Sequence, residues 1–124
     1  MRMEKMRVLV ANEMCAYREV IAEVFQELRP HVEVHCVEPD DLDHEITRHR
    51  PHLVVCSQLT DAVHSLLAWI MLYPNGENRA VVSTAGEHTT VANVGFDHLL
   101  SIIDKTELLH QSPRMTEGGT LADL

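Results

Sequence analysis

The chain has 124 residues, 45% of them hydrophobic, which is enough for one sizeable core and too little for two full domains. Nineteen Asp and Glu against ten Lys and Arg give a formal charge of −9, which disfavours nonspecific attraction to nucleic-acid phosphates or anionic lipid. No apolar run approaches the roughly 18 residues needed to span a bilayer, and MRMEKMRVLV lacks the apolar stretch and small-residue site of a cleavable signal, so a cytoplasmic protein is expected.

Residues 7–11 (RVLVA) form a short, β-branched-rich run suited to a strand covered on both faces. From 14 to 28, Tyr17, Val20, Ile21, Val24, Phe25 and Leu28 recur at three- and four-residue steps, which predicts an amphipathic helix stopped near Pro30. Residues 32–37 (VEVHCV) alternate and suit an edge strand. Pro39 with Asp40, Asp41 and Asp43 marks a turn and an acidic first helical turn, opening a short second helix that ends before Pro51.

Residues 53–56 (LVVC) predict another buried strand with a polar stop at Ser57 and Gln58. The stretch 61–73 reads as a helix with apolar side chains nearly all round, including Trp69, Met71, Leu72 and Tyr73. A turn follows at 74–78 (PNGEN), then a fourth strand at 80–84 (AVVST), a short helix within 89–94 and a fifth strand at 99–103 (LLSII). One or two helical turns fit between Asp104 and His110. Residues 111–124, with Gly118 and Gly119, lack helical periodicity and are expected to be a flexible tail. Alternating strands and helices over residues 7–110 predict one α/β domain with a parallel sheet, helices on both faces, and a crevice at the carboxyl ends of the strands.

The runs RVLVANEMCAYREVI, RPHLVVCSQL, AVVSTAG and GFDHLL, in that order, resemble the strand ends of two-component response-regulator receiver domains. The resemblance covers residues 7 to about 110 and rests on strand order and spacing. It implies a flavodoxin-like fold with five parallel strands in the order 2-1-3-4-5, its last two helices short, and a role in signalling. In that family an acid pair binds magnesium, an aspartate accepts the phosphoryl group, a hydroxyl follows the phosphate and a lysine pairs with it. Carried across, the acid pair falls on Asn12 and Glu13, the acceptor on Ser57, the hydroxyl on Thr84 and the lysine on Ile102 or, allowing a short insertion, Lys105.

The chemistry of these substitutions matters more than their number. Receiver phosphorylation needs an ionised carboxylate nucleophile and a hard cation held by several oxygens, whereas Ser57 offers a hydroxyl without a neighbouring base and Glu13 alone remains of three acids. The resemblance with this degenerate pocket implies a phosphorylation-independent pseudo-receiver and no enzymatic activity. The surplus apolar surface around Trp69, Met71, Leu72 and Tyr73 is then the expected contact face for another signalling or regulatory protein or for a homodimer, with neither nucleic acid nor membrane bound directly. The alternative expectation is a small-ligand or anion-binding sensor using the crevice at the strand ends.

Nine histidines and three cysteines invite a metal or redox reading. His35 and Cys36 point to opposite faces of one strand, and His44, His49 and His52 spread over a surface helix and its exit, so no metal and no cofactor is expected. Cys15, Cys36 and Cys56 contain no CxxC pair, which makes reduced thiols the default. Cys15 opens the first helix, a position that can lower a thiol pKa, although buried, inert cysteine is the commoner case.

Overall fold

In the computed structural model, which describes residues 5–73 and 77–111, the first half of the chain folds as its pattern predicts. Strand β1 (Arg7–Ala11) sends Val8 and Val10 to one face of the sheet and Leu9 and Ala11 to the other, and all four are buried. Helix α1 (Cys15–Leu28) buries Arg18, Ile21 and Phe25, spaced one turn apart, and ends before Pro30. Strand β2 (Glu33–Cys36) is followed by a single 3₁₀ turn, Pro39–Asp41, and helix α2 (Leu42–His49), which buries Leu42 and Ile46. Arg50 closes α2 in the left-handed region at φ 50°, and Pro51 prevents continuation. Strand β3 (Leu53–Cys56) is buried along its whole length.

The second half departs from expectation. The greasy stretch 61–73 divides into a one-turn helix α3 (Asp61–His64) and a strand β4 (Ala68–Leu72). Its all-round apolarity reflects a central strand with both faces covered: Ala68, Ile70 and Leu72 join one core cluster, and Trp69 joins the other. The predicted fourth strand is β5 (Arg79–Thr84), but it runs antiparallel to β4. Where a short helix was predicted, β6 (Glu87–Ala92) pairs antiparallel with β5. The predicted fifth strand, 99–103, lies inside helix α4 (Phe96–Gln111), where Leu99, Ile103 and Thr106 are buried at helical spacing.

The result is an α/β fold with a six-stranded mixed sheet in the order β2-β1-β3-β4-β5-β6, parallel across the first four strands and antiparallel across the last three. This corrects the expected five-stranded parallel sheet. Helices α1 and α4 pack on one face and α2 and α3 on the other. Arg29 joins α1 to α4 through two contacts of 2.8 Å to the Asp104 carboxylate, and His31 Nε2 lies 3.0 Å from Glu107 Oε1. Gln111, the first residue of the expected tail 111–124, instead ends helix α4; residues 112–124 and residues 74–76 of the expected turn lie outside the described residues.

Candidate functional site

The carboxyl ends of β1 and β3 bring together three of the residues singled out by sequence. The Glu13 backbone N–H donates to Ser57 Oγ at 2.9 Å. Asn12, only 1% exposed, donates through Nδ2 to the Leu72 carbonyl at 3.0 Å, while its buried Oδ1 has no partner. Arg18 reaches back from α1, donating through Nη1 to the Asn12 carbonyl at 2.9 Å and through Nη2 to Glu38 Oε2 at 3.1 Å. These bonds fasten loops to strand ends. They employ the side-chain amide of Asn12 and the hydroxyl oxygen of Ser57 as structural groups.

The other receiver positions lie elsewhere because β5 is antiparallel. Thr84 pairs with Ala68 at the start of β4, and Ala68 pairs with Leu53 at the start of β3, so Thr84 belongs to the end of the sheet opposite Ser57. Leu53 and Cys56 are three residue steps apart along the strand, roughly 10 Å. Ile102 and Lys105 sit on α4 and lie beside Thr84 instead of beside Ser57. The six positions therefore form two groups. Thr84, Thr89, His98, Ser101, Ile102 and Lys105 line a cleft of about 220 Å³ between the hairpin β5–β6 and α4. Two threonine hydroxyls, a serine hydroxyl, an imidazole and an ammonium line one side or the other, a donor set suited to a small anion or polar ligand.

The expected contact face is also redrawn. Trp69 is 2% exposed and Leu72 fully buried, because both belong to the central strand β4, and Met71 is half-buried on the α3 side. Tyr73 alone among the four reaches a surface groove. Its ring lies 5.3 Å from that of Tyr17, and the two residues, with Ala16, Val20, Ile21 and Phe96, line an apolar groove of about 410 Å³ between α1 and the start of α4. Tyr17 and Val20 are 44% and 49% exposed, and Phe96, across the groove, is exposed as well. The apolar periodicity of the helix counts Tyr17 and Val20 together with the buried Ile21 and Phe25. The signal was present, since α1 carries apolar residues on two faces and needs only Ile21 and Phe25 for the core.

None of the three thiols is activated. Cys15, although it opens α1, donates to Glu19 Oε2 at 3.2 Å, and that bond and the carboxylate's charge push its pKa up. Burial raises Cys36 and drives Cys56 up to about 12. Sequence reasoning missed one cluster of potential ligand side chains: Glu33 and His35 on β2 with His49 on α2, whose candidate donor atoms lie within 4.8 Å of one another. The clue was the pairing of an i, i+2 strand face with the last turn of the following helix. No helix among the described residues is long and apolar enough to cross a membrane. Comparison with family models, curated proteins and solved structures finds no match to this chain.

Proposed function

We propose that the chain is a noncatalytic, phosphorylation-independent module of cytoplasmic signal transduction or gene regulation that works by binding another protein. The observation carrying this reading is the apolar groove formed by Tyr17, Val20, Tyr73 and Phe96. Exposed aromatic and aliphatic groups gathered around a concavity on an acidic domain have the composition of a protein-binding patch. The consecutive β1, α1, β2, α2 and β3, with Ser57 at the end of β3, support the signalling part of the reading, since this half keeps the strand order of the receiver resemblance. The experiment is capture of binding proteins on the wild-type chain, followed by reconstitution from purified components against a Tyr17→Ser/Val20→Glu variant. Loss of binding in the variant, with its circular dichroism unchanged, is the expected result. Equal binding by both chains overturns the docking face.

The second reading, a small-ligand or anion sensor, is favoured by the convergence of Thr84, Thr89, His98, Ser101 and Lys105 on one cleft. It moves the expected ligand site from the carboxyl ends of the parallel strands to the space beneath α4. Saturable thermal stabilisation by phosphate or a small carboxylate, abolished by Lys105→Met, would favour it over the protein-binding reading.

A further inference from the structure

The edge strand β2 and helix α2 create a cluster that neither element contains alone. Glu33 and His35 are two residues apart on β2 and share one face of the strand, and His49 arrives from the last turn of α2. His35 Nε2 is 2.7 Å from Glu33 Oε2, and the imidazoles of His35 and His49 stack with centroids 4.7 Å apart and planes inclined by 25°. All three residues are half-buried. A cavity of about 280 Å³, lined by His35, Glu38, Asp41, Glu45 and His49 among others, lies against them.

We propose that Glu33, His35 and His49 form a binding site for a divalent transition-metal ion of the zinc type, with solvent in the remaining coordination position. Two imidazoles and one carboxylate make a donor set that suits zinc and its neighbours, whereas magnesium and calcium require several oxygens. Three protein ligands and an open position match the cavity beside the cluster. Tetrahedral zinc at about 2.0–2.1 Å from its ligands separates them by about 3.3 Å. The 4.8 Å spread of the candidate atoms therefore needs a contraction of up to about 1.5 Å, within reach of side-chain rotations at half-buried positions. Glu45 completes the arrangement from one turn before His49, its Oε1 3.0 Å from His49 Nε2. A carboxylate bonded to a histidine ligand fixes the ring and raises its basicity, the outer partner that such ligands ordinarily have. An ion bound here would clamp the edge strand β2 to α2.

The test is titration of the untagged, chelator-treated full chain with zinc chloride by calorimetry, with long-range ¹H–¹⁵N spectra of the imidazoles recorded in parallel. The expected result is saturation at one ion per chain, with resonances of His35 and His49 shifting. Binding should weaken at least tenfold in His35→Gln and in His49→Gln, less in Glu45→Gln, and not at all in His64→Gln. Absence of saturable binding in the wild type, shifts confined to other histidines, or unchanged affinity in both ligand variants would each overturn the site and leave two ordinary histidine–carboxylate pairs. The spectra of the wild type decide the matter even if a variant fails to fold.

Discussion

The Glu13 backbone N–H and the Ser57 hydroxyl oxygen meet at 2.9 Å, tying the loop after β1 to the end of β3. The sequence resemblance to receivers assigned the phosphate acceptor to Ser57, but the remaining groups needed for phosphoryl chemistry are not beside it. Thr84 and Lys105 line one cleft between the β5–β6 hairpin and α4, at the other end of the sheet. Introducing a carboxylate by Ser57→Asp supplies a nucleophile without the second acid, the hydroxyl or the lysine. Incubation of the variant with acetyl phosphate and magnesium should therefore leave its intact mass unchanged, whereas a gain of one phosphoryl group would show that a functional pocket assembles around residue 57.

Trp69 is buried in the core cluster shared with α2 and α3, its ring 5.3 Å from the imidazole of His64 and 5.5 Å from that of His88. Its neighbours come from α3 and β6, so the indole joins the parallel and antiparallel halves of the sheet. Trp69→Ala should destabilise the protein by about 3–5 kcal/mol, the usual cost of removing a buried large aromatic side chain. Urea denaturation measures this. A loss below about 1 kcal/mol would match the exposed helical residue that sequence periodicity suggested, and is not expected.

The parts of the fold legible in sequence are those where one pattern has one solution. Val8, Val10, Leu53 and Val55 belong to short β-branched runs bounded by polar stops, and α1 and α2 have clear stripes ending at Pro30 and Pro51. The stretch containing AWIML was ambiguous, because a buried strand and a buried helix both show apolar residues in every direction. LLSII carried the opposite ambiguity: Leu99, Leu100 and Ile103 are one helical face, and the apolar run mimicked a strand. Once these two segments exchanged identities, the fifth-strand lysine position ceased to exist and Thr84 moved to the other end of the sheet. The pairing of Glu13 with Ser57 survived because both follow strands that were identified correctly. The Glu33, His35 and His49 cluster was hidden for a different reason: it depends on how α2 packs against β2, which strand parity alone does not specify.

The Arg29–Asp104 pair predicts a specific dependence on pH. The hydrogen bonds from Arg29, followed by the guanidinium charge, hold the Asp104 carboxyl below its ordinary value despite partial burial, and His31 adds to the effect. Because the folded-state value lies below that of the unfolded chain, about 3.9, the pair's contribution is fully present above that value and disappears as pH falls through the lower folded one. The carboxylate is half exposed, so screening by solvent keeps the contribution small. Asp104→Asn should lower the urea midpoint at neutral pH. That difference from wild type should shrink to nothing when both proteins are measured below the folded-state value. A difference that persists there would mean that the side chain acts through packing and not through its charge.

The hairpin joining β5 and β6 predicts a stabilising substitution. Thr84 pairs with Glu87, leaving a two-residue loop in which Ala85 has φ 51° and Gly86 φ 88°. Such a loop wants positive φ at both positions, which glycine adopts freely, asparagine tolerates and alanine resists. The Ala-Gly pair lacks the Asn-Gly signature that marks a tight hairpin, which is why the following segment read as a helix. Ala85→Asn should relieve the strain and raise stability by about 1 kcal/mol, while Ala85→Pro, with φ fixed near −65°, should be strongly destabilising. Thermal melts of the two variants distinguish the hairpin from the helical alternative. A helix through residues 89–94 gives no reason for asparagine at 85 to help, so a neutral or negative effect of Ala85→Asn would remove the support for β6 as the sheet's final strand.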